Sequence, residues 1–144
     1  MINLRRYRNY CLRLKQICTA DKFVLAVQEE HLKKKLRGMD GNILVAVYPS
    51  HAVTGVEDNV VDENTCLVYV LTAAAKNETD DEKEVEDYAI LQEMIDMIKK
   101  QLIYDADNDI GGMGELKRDS IEIEPEYNIA GGYIGYSIVF AFLS

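Results

Sequence analysis

The chain has 144 residues, of which 48% are hydrophobic and 28% charged, and its formal net charge is −9. The length fits a single domain, residues 1–144, and the composition excludes global disorder. Its longest apolar runs, 43–48 and 138–143, are far shorter than the ~20 residues that cross a bilayer, so we expect no membrane contact.

The N-terminal residues and the cysteines indicate no secretion and no metal. The opening lacks the apolar core and cleavage site of a secretory signal, so we expect the protein to be used where it folds. Cys11, Cys18 and Cys66 form neither a C-x-x-C pair nor a Cys/His metal spacing. We therefore expect reduced, mostly buried thiols and no cofactor.

The charge is divided into two unequal blocks. Residues 1–37 hold 10 basic residues and 3 acids, a balance of +7, whereas the remainder holds 6 basic residues and 22 acids, a balance of −16. Each copy therefore carries surfaces complementary to its own other end, so copies can stack head to tail. Alternatively, the basic end docks on an acidic partner such as DNA or another protein.

Segment 1–37 is predicted to be helical. Apolar positions spaced three and four residues apart predict an amphipathic helix over 2–18: Leu4, Tyr7, Cys11, Leu14 and Cys18. Thr19 and Asp21 are N-cap candidates for a second helix that runs to Arg37, where Gly38 stops it. A short strand over 23–27 is the alternative.

Two apolar runs, 43–48 and 65–72, predict the first pair of strands. Pro49 is expected to end the first strand. The connection 50–64 is longer than a hairpin turn, so we expect a projecting loop. Its acids are Glu57, Asp58, Asp62 and Glu63.

The C-terminal half predicts a helix and a second strand pair. The acid-rich stretch 77–84 suits a first helical turn, and apolar residues recur at three and four positions over 84–104. A glycine-containing loop is expected over 105–114, followed by strands 119–124 and 133–142. The element order is ααββαββ, and 43–144 is predicted to form an α+β sandwich. Its four-stranded, mainly antiparallel sheet would have its helices packed on one face.

Two motifs in the sequence resemble reactive or binding sites without completing them. Asp105, Asp107 and Asp109 begin like a calcium loop, but Ile110 and Leu116 occupy the positions where an EF-hand has Gly and Glu, which favours a solvated turn. His31 and His51 have no adjacent nucleophile in the sequence, so we expect no enzymatic activity.

The basic first helix has two interpretations. Its cations are Arg5, Arg6, Arg8, Arg13 and Lys15. In the first interpretation they contact a neighbouring protein subunit. In the second they bind phosphate, while Tyr7 and Tyr10 stack on exposed bases, as in a nucleic-acid-associated accessory protein. The net negative charge favours the first interpretation.

The C-terminal segment 120–142, SIEIEPEYNIAGGYIGYSIVFAF, resembles the ending of small neck and tail-completion proteins of tailed bacteriophages, including tail terminators. In those proteins a helix is similarly followed by an Ile-x-Ile-x-Pro strand, a glycine turn and an apolar strand. The likeness in pattern extends over residues 43–142. The basic N-terminal segment departs from it.

This resemblance implies a non-enzymatic subunit of a homo-oligomeric ring at the head-to-tail junction or at the end of the tail tube. DNA would pass through the lumen without sequence-specific binding, and the neighbours would be other neck or tail proteins. The protein would be found in the virion, and in the host cytoplasm during assembly. The acidic segment 50–64 would reach a neighbouring subunit or line the lumen.

Overall fold

The computed structural model describes residues 1–74 and 81–144, and it confirms the α+β class. The elements follow in the order αβαββαββ. They are α1 (Leu4–Cys18), β1 (Lys22–Ala26), α2 (Glu29–Leu36), β2 (Ile43–Thr54), β3 (Val61–Ala73), α3 (Asp81–Asp107), β4 (Glu115–Ile129) and β5 (Tyr133–Leu143).

The sheet has five strands in the order β1-β2-β3-β5-β4, so the prediction of four strands in the order ααββαββ is wrong. The missing strand is β1, which pairs in parallel with β2, whereas the remaining pairs are antiparallel as predicted. Two elements, β1 and α2, replace the single helix predicted after α1. The alternative of a short strand over 23–27 is close to what the structure shows.

Local contacts explain why no helix begins at Thr19 or Asp21. Thr19 has a left-handed backbone with φ 58°, and its N–H donates to the Gln16 carbonyl, which ends α1. The Asp21 carboxylate accepts a hydrogen bond of 2.8 Å from the Asn42 N–H instead of capping a helix. That contact holds the start of β1 beside the start of β2.

The helices cover both faces of the sheet, so the prediction that they pack on one face is also wrong. Leu44 of β2 packs in a core cluster with Leu14 of α1 and Ile98 of α3. The next residue, Val45, points to the other face, where it packs with Leu36 of α2. Since successive strand residues face opposite sides, α1 and α3 share one face and the short α2 covers part of the other.

β2 and β3 form a long hairpin that extends beyond the core, whereas a loop was predicted over 50–64. β2 continues to Thr54, β3 begins at Val61, and the turn between them is 55–60. Pro49 does not end β2, because it lies at a register shift between Val47 and Ser50. A proline at such an irregularity removes no regular ladder hydrogen bond. We call residues 48–64 the arm.

The predicted helix 84–104 and the predicted strand pair 119–124 and 133–142 are confirmed with wider bounds. α3 runs to Asp107, so 105–107 is helical and was wrongly assigned to a loop. The acidic first turn of α3 contains Asp81, Glu82 and Glu84, while the rest of the predicted stretch, 77–80, lies outside the described residues.

Within 1–74 and 81–144, no helix combines the length and apolarity of a bilayer-crossing segment.

Candidate subunit interface

Two of the five cations predicted to contact a partner interact with their own chain. Arg6 donates from Nη1 to the Gly112 carbonyl over 3.1 Å. Arg13 donates from Nη2 to Oδ1 of Asp105 over 3.2 Å and from Nε to Oδ2 over 3.4 Å. The pKa of Arg13 is raised, first because its side chain hydrogen-bonds Asp105. These two arginines hold α1 against the end of α3 and the loop that follows it.

Arg5 and Arg8 face solvent. Neither forms an ion pair with any residue in 1–74 or 81–144. Lys15 is half-buried near the end of α1. The cations of α1 that can meet a partner are therefore concentrated in its first two turns.

The tyrosines of α1 cannot stack on nucleic-acid bases as the second interpretation required. Tyr7 is fully buried, and its hydroxyl donates to the Val47 carbonyl over 2.8 Å. Tyr10 is 5% exposed, and its hydroxyl donates to Asp105. Both tyrosines belong to the apolar stripe of the helix, so this part of the nucleic-acid interpretation is wrong.

α2 adds a second basic surface that the sequence analysis did not single out. Lys33, Lys34 and Arg37 are exposed and, with Glu30, surround a depression of about 290 Å³. The apolar side chains of α2, Leu32 and Leu36, point to the sheet. The signal in the sequence was the run of lysines at 33–35, which the sequence analysis counted only as part of the basic block 1–37.

The four predicted acidic contact residues fall into two pairs. Glu57 and Asp58 lie in the exposed turn of the arm. Asp62 accepts hydrogen bonds from the Met1 amino group at 2.8 Å and pairs with His51 Nε2 at 3.1 Å. These hydrogen bonds, the amino group's first, lower the pKa of Asp62.

Glu63, like Asp62, has a partner on its own chain, because its carboxylate lies 3.7 Å from the Lys117 amino group of β4. Asp62 and Glu63 therefore help to fix the base of the arm. Glu57 and Asp58 remain directed away from the body of the domain.

The sheet face that carries α2 is incompletely covered. Val47, Leu67 and Val139 lie side by side on β2, β3 and β5, and all three are half-buried. The neighbouring position on β4 is Glu122, and Glu126 further along accepts a hydrogen bond from Ser137 over 2.8 Å. An apolar centre with a polar rim is typical of a protein interface.

The prediction of a solvated turn at Asp105 and Asp107 is wrong, because both residues are helical. Asp105 and Asp107 lie in the last turn of α3, and two residues separated by two positions point to opposite sides of a helix. Asp105 is 1% exposed, and its carboxylate accepts hydrogen bonds from side chains of α1. Asp107 forms an ion pair with Arg118. No group of three His, Cys, Asp or Glu side chains suited to a metal occurs within the described ranges.

The three cysteines are buried, as predicted. Cys11, Cys18 and Cys66 are free and buried. Burial raises the pKa of Cys11 to about 12, so its thiol stays protonated at neutral pH. These residues act as small apolar side chains in the core formed by α1, α3 and the sheet.

No family model, no curated protein and no solved structure matches this chain.

Proposed function

We propose that this chain is a structural subunit of a homo-oligomeric ring in the neck or tail-completion assembly of a tailed bacteriophage. The observation that carries the proposal is the position of the basic segment and of the acidic strand β4 in the sheet order. β1 is one edge strand, and it lies between α1 and α2 in the basic segment 1–37. β4 is the opposite edge strand, with 5 acids and 2 cations over 115–129.

The two edge strands, β1 and β4, lie far apart in one molecule. Adjacent strands are ~4.8 Å apart, so the four spacings from β1 to β4 separate the edges by roughly 19 Å. That distance exceeds the Debye length of about 8 Å at physiological salt. The exposed cations of segment 1–37 in one copy and the acidic edge β4 of the next copy attract each other.

A contact between two different surfaces of the same chain is heterologous, and it closes into a ring when the rotation per subunit permits. The half-buried centre of the sheet, Val47, Leu67 and Val139, adds apolar area beside the acidic edge. This geometry supports ring formation, but it does not indicate which assembly contains the ring. The neck or tail-completion assembly, and the location in the virion, are proposed from the resemblance of 120–142 to neck and tail-completion proteins.

The mass in solution at two salt concentrations tests the ring. Multi-angle light scattering should give a single species of several subunits at 50 mM salt and a smaller mass at 500 mM. The double variant Arg5→Glu/Arg8→Glu should reduce the mass at 50 mM salt. Lys99→Glu/Lys100→Glu on α3 is the matched control, since it makes the same charge change on an acidic element and should leave the mass unchanged.

A monomer at every salt and protein concentration would contradict the ring. A monomer that retains DNA, and loses it when Arg5 and Arg8 are reversed, would instead favour the nucleic-acid-associated accessory protein. The exposed guanidinium groups of Arg5 and Arg8 suit phosphate as well as carboxylate. The burial of Tyr7 and Tyr10 leaves that second function without its base-stacking contact.

A further inference from the structure

An apolar groove lies where α1 begins, at the base of the arm. Its volume is about 490 Å³, within the range of clefts that hold an apolar ligand. It is lined by Met1, Ile2, Leu4, Val27, His31, Tyr48, Pro49, His51 and Asn64. On its walls, Leu4 is 52% exposed and Val27 is 56% exposed, so large apolar side chains there are open to water.

The tip of the arm is a convex counterpart to this groove. Val53, Val56 and Val60 are 61%, 77% and 58% exposed, and they surround the turn 55–60. Three exposed valines on one small hairpin turn form an apolar patch with no cover from the described parts of the same chain. Such patches usually mark a protein contact.

The shape of the tip is fixed by its backbone. Gly55 has φ +104°, and a Cβ there would lie 2.0 Å from the Asn59 carbonyl oxygen. The Asn59 N–H donates to the Val56 carbonyl over 2.6 Å. Because the turn is already ordered, insertion into a partner costs less conformational entropy than insertion of a flexible loop.

The charges beside the two apolar surfaces are opposite. Glu57 and Asp58 lie between the exposed valines of the tip. Arg8 lies one helical turn from Leu4, on the same side of α1, and Arg5 adjoins Leu4 in the sequence. An apolar and acidic tip therefore matches an apolar and basic groove.

The tip cannot fill the groove of its own molecule. His51 and Asn64, which line the groove, are paired across the base of the arm, and the ladder continues outward to Thr54 and Val61. At ~3.3 Å per residue, Val56 lies roughly 16 Å further along the arm than His51. A continuously paired hairpin does not fold back over that distance.

We propose that the arm of one copy inserts Val56 and Val60 into the groove of the next copy, while Glu57 and Asp58 meet Arg5 and Arg8. The contact rests on the proposed function, because it adds a second contact between neighbouring subunits of the ring to the one that the acidic edge β4 makes. It joins two different surfaces, so each copy uses its arm toward one neighbour and its groove toward the other.

Replacement of the apolar tip tests this contact. Val56→Asp/Val60→Asp should weaken self-association about 30-fold or more, measured by sedimentation at graded concentrations, since hot-spot residues in interfaces contribute that much. At dilutions where both proteins are monomeric, the urea midpoint should be unchanged because both side chains are exposed. Val85→Asp is the matched control, as Val85 of α3 is 65% exposed and should leave association intact.

Cysteine cross-linking tests the pairing itself. Leu4→Cys/Val56→Cys should give a ladder of covalent oligomers on non-reducing gels after mild oxidation, because the two positions meet between copies. Each single variant should give no ladder, and the buried native thiols should not contribute. If the unmodified protein forms the ring but neither experiment shows its effect, the arm contact is overturned and the ring stands. If it is monomeric throughout, both proposals fail.

Discussion

The Tyr10 hydroxyl donates a hydrogen bond of 2.9 Å to Oδ2 of Asp105, which joins α1 to the last turn of α3 across 95 positions of sequence. Asp105 also accepts from Gln101 Nε2 at 2.7 Å and from Arg13. A carboxylate that is 1% exposed needs this number of donors to offset its lost hydration. The network therefore fixes how the first helix sits on the domain.

Removal of the Tyr10 hydroxyl should lower stability without changing the fold. Tyr10→Phe keeps the ring in the core but takes one donor from a buried carboxylate, which costs about 1–3 kcal/mol. Urea unfolding at pH 7 measures the loss. Tyr104→Phe on the exposed side of α3 is the control and should stay within about 0.5 kcal/mol. Equal effects of the two variants would show that the hydrogen bond is not important.

Stability should fall in alkaline solution because core groups have raised pKa values. Burial raises the pKa of Cys11 to about 12 from an ordinary 9.0, and it raises the pKa of Tyr7 as well. The unfolded chain therefore loses these protons at a lower pH than the folded chain. The contribution of these groups to the free energy of unfolding is fully present below pH 9 and decreases as the pH rises toward 12. Each such group contributes roughly 1 kcal/mol per pH unit in that range.

Urea midpoints at pH 7, 9, 10 and 11 measure the alkaline effect. The variant Cys11→Ala should be less stable at neutral pH, because it leaves a small cavity, but its stability should decline less steeply above pH 9. An identical slope in both proteins would mean that Cys11 titrates normally. Native Cys11 should also react slowly with a thiol reagent at pH 8 and quickly in urea.

Gly135 should tolerate no side chain. A Cβ at this position of β5 would lie 1.9 Å from the carbonyl oxygen of Val70 on β3, at a φ of +155°. Gly135→Ala must therefore separate two central strands. Backbone strain alone costs about 1–3 kcal/mol, and we expect the loss in the free energy of unfolding to be larger than that.

Gly132 offers a matched comparison for Gly135. Its φ is +146°, but a Cβ there would meet nothing within 4 Å. Gly132→Ala should therefore show the strain without the collision and be the milder change in a thermal or urea melt. The proposed close approach of β5 and β3 would be refuted by a Gly135→Ala protein as stable as Gly132→Ala.

The periodic spacing of apolar residues predicted the helices that bury one continuous row of apolar side chains. The spacing of Leu91, Ile95, Ile98 and Leu102 correctly predicted α3, and all four are buried. The pattern over 23–27 was ambiguous, because a short apolar run suits a strand or a buried helix equally. Pairing with β2 decides in favour of the strand, and that pairing is a tertiary contact that local spacing does not report.

The candidate interface was less predictable than the fold. The sequence located the positive and negative blocks, but it could not separate Arg13, which is bound to Asp105, from Arg8, which faces solvent. The two residues have the same chemistry, and the distinction depends on a partner 92 positions away. Likewise, the acids Asp62 and Glu63 look equivalent to Glu57 and Asp58 until the arm is folded.

Arg13 and Arg8 should therefore respond oppositely to the same substitution. Arg13→Gln takes donors from the buried carboxylate of Asp105, so we expect a stability loss of about 1–3 kcal/mol by urea unfolding. Arg8→Gln should change stability by less than about 0.5 kcal/mol, because Arg8 is exposed. In light scattering at 50 mM salt, Arg8→Gln should shift the ring toward smaller species, whereas folded Arg13→Gln should assemble. A reversal of either result would mean that the two arginines have been assigned to the wrong contacts.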